Sequence, residues 1–150
     1  MAATSGGVIA SITIPIREIP AALHRAKASF PSSPTKRVRV RLEPGATIQR
    51  HKHTGEVFAF TLAGAWKYLE YPEVNTAGSY LFEPAGSIHT LHALKSNDGI
   101  TDAWFAIRGA NLNLDAAGNV ESVLDAALAL EIYTTRCREA GHPMPNVIGI

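Results

Sequence analysis

The sequence predicts an all-β domain that ends in one α-helix. Three observations carry that expectation. Short β-branched or alternating segments recur along the chain, glycine- or proline-bearing turns separate them, and only the stretch after Ser122 shows helical spacing. Apolar residues make up 46% of 150 and the formal net charge is +1, so one sizeable core can form. The same balance argues against disorder and against nucleic-acid binding. A single domain over residues 1–150 is expected, with barrel strands over about 36–122 and a helix over about 123–140.

Gly7–Ile14 is β-branched and reads as the first strand. Pro15, Pro20, Pro31 and Pro34 break up the next stretch of chain and leave room for a short helical turn around Ala21–Ala28. Basic residues gather from Lys36 to Arg41, but they alternate with Val38, Val40 and Leu42, which describes a half-buried strand with a charged outer face. Phosphate binding there is the sharper alternative. The strand Arg37–Leu42 ends at the Glu43-Pro44-Gly45 turn. Val57–Leu62 and Ala65–Glu70 flank Gly64, which predicts a bend or bulge between two paired strands. Ser79–Phe82, Thr90–Leu94 and Ile100–Ile107 continue the series. Asn111–Leu114 and Val120–Ser122 flank a hairpin turn with Gly118 at its left-handed position. Short strands at this spacing make a sandwich or a small barrel.

The helical segment begins with capping-box-like spacing at Ser122 and Asp125 and stops at Gly141 and Pro143. Val123, Ala127, Leu130, Thr134 and Cys137 form a near-heptad stripe, read as packing against the barrel, with a dimer contact as the alternative. Cys137 is the only cysteine, so no intrachain disulfide is available. Its place late in the helix favours a small buried hydrophobe over a nucleophile. The first basic residue is Arg17, unlike a secretory signal, and no apolar run approaches a membrane span. A soluble cytoplasmic protein without membrane partners is expected.

Three histidines give the chain its chemistry. His51 and His53 are two apart, so on a strand they share one face. The second segment, Gly78-x5-Pro84-x-Gly86-x2-His89, has a mechanical use for each fixed residue. Gly78 can supply a turn with positive φ, and Pro84 with Gly86 can build the tight turn that presents His89. Two imidazoles on one strand and a third from a neighbour make an open metal site. The plain alternative for the His51 pair is a solvated strand face, because Arg50 and Lys52 flank it.

These spacings resemble the two motifs of the cupin superfamily. The resemblance implies a jelly-roll barrel (a double-stranded β-helix) around one metal ion. The first cupin motif carries a glutamate ligand at the position of Val57, whose side chain cannot bind metal. The ligand set is thereby reduced to His51, His53 and His89, with Glu56, re-aimed by the Thr54-Gly55 turn, as the alternative fourth ligand. The blocks from His51 to Glu70 and from Ala77 to Leu91 are similar to the 2,4'-dihydroxyacetophenone dioxygenase family, strongly over residues 45–108. That family uses iron(II) and O₂ to cleave an α-hydroxyketone into a carboxylic acid and formate, and a related three-histidine cupin cleaves β-diketones.

The resemblance therefore implies an iron(II) cofactor, with zinc, nickel or manganese as alternatives, and a small carbonyl substrate together with O₂. Glu83, six residues before His89, matches a carboxylate near the metal in the diketone-cleaving relatives. It is the candidate for orienting a histidine or accepting a substrate proton, against a plain turn residue facing solvent. Trp66, Tyr68 and Trp104 are candidates for lining the substrate pocket, and alternation allows only one of Trp104 and Phe105 to face it. His92 falls on the opposite strand face from His89, and His24 and His142 carry no signal. Two further classes stay open: a lyase or isomerase using another metal, and a non-catalytic metal- or ligand-binding cupin. The Val8–Ile14 strand needs cover, which leads to the expectation of a homodimer or homotetramer paired through that edge.

Overall fold

The computed structural model describes residues 35–143, so the expected Gly7–Ile14 strand, the Ala21–Ala28 turn and His24 lie outside the described residues. Among the described residues, ten strands and one helix run in order: β1 Thr35–Leu42, β2 Thr47–His53, β3 Val57–Ala63, β4 Ala65–Tyr68, β5 Val74–Thr76, β6 Tyr80–Glu83, β7 Ile88–Ala93, β8 Thr101–Arg108, β9 Asn111–Leu114, β10 Val120–Leu124 and α1 Ala126–Glu139. They form two antiparallel sheets, one ordered β1-β8-β3-β6 and the other β10-β9-β2-β7-β4-β5. The architecture is mostly β with one C-terminal helix, as the spacing of short strands predicts.

Period-two alternation builds the core between the sheets. Val57 and Ala59 of β3, Ala103, Phe105 and Ile107 of β8, Trp66 and Tyr68 of β4, and Leu91 and Ala93 of β7 all turn inward. Burying a large apolar side chain contributes about 1.5–3 kcal/mol, so this set dominates the stabilisation. The Trp66 indole donates to Thr61 Oγ1 at 2.9 Å, which satisfies the one polar atom that its complete burial would otherwise orphan.

Gly64 does not bend a hairpin between paired strands. β3 and β4 belong to different sheets, and Gly64, at φ 71°, is the corner where the chain crosses from one to the other. A side chain there would sit 2.8 Å from the Thr101 Cα, so the corner has room only for glycine.

The helix starts later than its sequence signal. β10 continues through Leu124, and the N-cap is Asp125, whose carboxylate accepts from the Leu128 amide at 2.8 Å. Ser122 therefore sits in a strand rather than at a cap. Of the expected stripe, Cys137 is buried and Leu130 and Thr134 are half-buried, whereas Val123 and Ala127 are exposed. No helix among the described residues is long and apolar enough to cross a membrane.

The basic strand β1 does present Arg37, Arg39 and Arg41 outward. Arg39 clamps Asp102 of β8, with Nε to Oδ1 at 2.8 Å and an Nη2 to Oδ2 contact of 2.6 Å. Lys36 has the inward parity of Val38 and is buried. Its ammonium donates to Asn111 Oδ1 at 3.1 Å and to the Leu124 carbonyl. Burial lowers its pKa from 10.5 to about 8 against the opposing charge of Asp125.

Candidate metal centre

The three histidines stand on neighbouring central strands. β2 pairs with β7, and His51 lies directly opposite His89 in that register. A bulge between Ile48 and His51 inserts an extra residue into β2, so Ile48 and His51 both face the core despite their odd spacing. It also leaves the Gln49 carbonyl to accept from His51 Nδ1 at 2.7 Å. Because a carbonyl can only accept, the proton is on Nδ1 and the Nε2 lone pair is free for a ligand.

The turn before β7 is tied to β2 at the residue it must meet. Gly86, at φ 89°, donates its amide to the His53 carbonyl at 2.8 Å, and the His53 amide donates to the Ser87 carbonyl at 3.0 Å. The Pro84–Gly86 turn thus presents His89 in the way its sequence suggests. His51, His53 and His89 are all buried, and their candidate ligand atoms lie within 4.8 Å of one another. His51 Nε2 and His53 Nε2 are 3.1 Å apart.

Glu83 closes the cluster from the opposite sheet. It ends β6, directly across from Val57 on β3, so the strand beside the carboxylate-free Val57 position supplies a carboxylate of its own. Glu83 is 4% exposed, and Oε2 lies 3.3 Å from His53 Nε2 and 3.2 Å from His89 Nε2. Tyr68 of β4 donates its hydroxyl to Glu83 Oε1 and stacks its ring on His89, with centroids 3.7 Å apart and 13° between the planes. Burial pushes the Glu83 carboxyl up, but His89, the Tyr68 hydroxyl and His53 outweigh it and hold it below the ordinary carboxylate value. Burial, reinforced by the Glu83 charge, drives the Tyr68 phenol well above 10.

The donor set fits a cation. Burial lowers the pKa of His51, and it takes that of His53 to about 3 despite the pull of Glu83, so both are neutral imidazoles ready to ligate. Glu83 Oε2, His89 Nε2 and His53 Nδ1 are buried without a hydrogen-bond partner; the 3.2 Å approach of the first two lacks hydrogen-bond geometry. Orphaned buried polar atoms are costly, and a cation at the convergence of the Nε2 atoms would take His89 Nε2 as a ligand, with the Glu83 carboxylate beside it.

The other sequence candidates fall in several places. Trp66 and Tyr68 both face the interior, and their rings meet edge to face at 5.2 Å. Trp104 does not line the interior: alternation along β8 gives that side to Phe105, and Trp104 lies on the outer face beside Arg37 and Phe58. Glu56 is half-exposed and reaches Arg108 at 3.5 Å, away from the histidines. His92 takes the other face of β7, where its Nδ1 meets Thr47 Oγ1 at 3.1 Å. Sequence reasoning placed Tyr68 only as a pocket wall; its partnership with Glu83 depends on which strands of the two sheets face each other.

A protein of unknown function with a cupin-like fold from Ralstonia eutropha JMP134 is 32% identical, covering 77% of this chain and 74% of its own, with a TM-score of 0.71. The chain belongs to the cupin superfamily. The family model for the ChrR cupin-like domain matches residues 31–101. An RmlC-like cupin protein from the same organism is 26% identical over 77% of this chain and 74% of its own, with a TM-score of 0.73. An acetylacetone dioxygenase from Acinetobacter johnsonii shares the fold at 19% identity, covering 72% of this cupin and 73% of its own chain, with a TM-score of 0.63. No curated protein matches the sequence.

Proposed function

We propose that this cupin is an iron(II)-dependent dioxygenase that cleaves a carbon–carbon bond of a small α-hydroxyketone or β-diketone with O₂. One observation carries the reading: a buried, tyrosine-held carboxylate faces two of three convergent imidazoles. Iron(II) held by His51, His53 and His89 would supply electrons to O₂ and, with no carboxylate ligand to reduce its charge, attract an enolate chelating through two oxygens. That this cupin shares its fold with an acetylacetone dioxygenase of Acinetobacter johnsonii supports the reading.

The chain's own groups divide the remaining work. Tyr68 occupies Glu83 Oε1, which leaves Oε2, without a hydrogen bond, as the atom that accepts the α-proton of the substrate. The hydrogen bond from His51 Nδ1 to Gln49 fixes that ring's orientation. Burial of all four groups at 5% exposure or less excludes water from the reacting centre. For an α-hydroxyketone, both atoms of O₂ enter the products, giving a carboxylic acid and formic acid with no further reductant.

The Tyr68–Glu83 pair also suits proton transfer without O₂, which supports a lyase or isomerase using zinc, nickel or manganese as a second reading. Anaerobic mixing separates the two. Under the dioxygenase reading, iron-loaded protein binds a hydroxyketone without forming product until O₂ enters, and ¹⁸O₂ leaves one labelled atom in each carboxylic product. Product formation without O₂, or equal activity with zinc, would replace it with the second reading. Glu83→Gln should lower turnover about 10²–10⁴-fold while metal uptake persists.

A further inference from the structure

The outer face of the four-stranded sheet has a cleft that the metal centre does not use, and one small residue makes it. Outward-facing positions cross the sheet in rows set by the strand register. In the row Arg37–Ala106–Phe58–Phe82, and in its neighbour Arg39–Trp104–Phe60–Tyr80, Ala106 is the single place without a large side chain. The Phe58 ring lies beside that of Phe82, with centroids 5.4 Å apart. Among the described residues no ring contact joins Phe58 to Trp104 across the alanine methyl. The gap that remains is a cleft of about 210 Å³ lined by Thr35, Arg37, Phe58, Trp104, Ala106 and Arg108.

We propose that this cleft binds the monoanion of a single-ring aromatic acid, with its ring over Ala106 between Phe58 and Trp104 and its carboxylate on Arg37. Size, lining and charge all favour that ligand. Sites for drug-sized molecules run to about 300–1,000 Å³, so this smaller volume selects a body of about one ring. Two aromatic walls suit a flat apolar body, which they can meet edge to face or offset. Two guanidinium groups stand at the rim. Glu56 reaches Arg108 at 3.5 Å and offsets its charge, whereas Arg37 has no ion-pair or hydrogen-bond partner among the described residues. Further along β1, Arg39 is committed to Asp102. One net positive charge is therefore left at the rim, which matches a monoanion. A guanidinium donates two parallel N–H bonds to a carboxylate, and the Thr35 hydroxyl lines the same cleft as a further donor. This inference stands apart from the proposed activity, since the lining residues face away from the histidines.

Nuclear magnetic resonance of the ¹⁵N-labelled full chain tests it, because the chain has two indole N–H groups, one at Trp104 in the cleft and one at the fully buried Trp66. At constant ionic strength, sodium benzoate should shift the Trp104 resonance saturably, with a Kd of about 1 mM, and leave that of Trp66 in place. Benzyl alcohol, a ring without charge, and acetate, a charge without a ring, should each bind about 10-fold more weakly or worse. Arg37→Gln, at an exposed position, should weaken benzoate binding about 10-fold with an unchanged circular dichroism spectrum. Ala106→Leu fills the gap and should abolish the shift. The His51→Ala/His53→Ala variant should bind benzoate as the wild type does, which separates the cleft from the metal centre. No shift at Trp104, acetate or inorganic phosphate binding as well as benzoate, or full benzoate affinity in Arg37→Gln would overturn the proposal. So would a response that disappears with the two histidines.

Discussion

Replacing Tyr68 by phenylalanine deletes one oxygen atom and keeps the ring that stacks on His89 at 3.7 Å. The lost hydroxyl is a hydrogen-bond donor to Glu83 Oε1, and that carboxylate is 4% exposed, so water cannot easily replace it. A hydrogen bond to a charged group contributes about 1.5–3 kcal/mol, which in a domain of this size shifts the melting temperature by about 3–12 °C. The assay is thermal and urea unfolding of metal-free wild type and Tyr68→Phe at pH 7 and again below pH 4.5. The sign is set by the direction of the Glu83 shift. Its folded pKa lies below the ordinary 4.5, so its ionised interactions stabilise the fold above that value and are lost as pH falls through the folded pKa. The difference between the two proteins should therefore be full at pH 7 and shrink in acid. A melting difference under 1 °C at pH 7, or one equally large in acid, would refute the claim that the phenol holds an ionised carboxylate.

Three further outcomes test other parts of the fold. Gly64→Ala meets positive φ and the Thr101 Cα at 2.8 Å, whereas Gly78→Ala meets positive φ and open space, so urea midpoints should place the first about 1–3 kcal/mol below the second. Lys36 has a folded pKa of about 8 against 10.5 unfolded, so the folded state binds fewer protons over that window and stability should rise with pH across it. Relative to Lys36→Met, whose stability lacks this contribution, the wild type should gain between pH 7.5 and 9.5. Asp125→Ala removes the N-cap acceptor for the Leu128 amide and should cost about 0.5–2 kcal/mol, whereas Ser122→Ala should change stability little.

Local chemistry made most of this architecture legible. Alternation located β1, β3 and β8, and the turn glycines Gly45, Gly86 and Gly118 all adopt positive φ. The shared face of His51 and His53 was readable from period two, because only local geometry decides it. What escaped depends on partners distant in the chain. β5 is three residues, Val74–Thr76, too short to show a period. The bulge in β2 exists only relative to β7, so its role in aiming His51 and freeing the Gln49 carbonyl cannot be read from residues 47–53 alone. Gly64 signalled a break but not whether the chain turns back or changes sheets. Trp104 and Phe105 were separable by alternation but not assignable until β8 took its place between β1 and β3. Lys36 has core-facing parity, a signal that its charge outweighed in a basic run. Glu83 could be placed near His89 by spacing, but its contact with Tyr68 joins two sheets.

The central claim is that His51, His53 and His89 form one metal site. Isothermal titration of metal-free protein with iron(II) under anaerobic conditions, with elemental analysis of the loaded protein, tests it most directly. One ion per chain is predicted for wild type, with affinity falling as pH drops through histidine titration, because ligation requires neutral imidazole. The His51→Ala/His53→Ala variant should bind none while keeping its β-sheet circular dichroism spectrum. Full occupancy in that variant, or no binding by the wild type, would contradict the account.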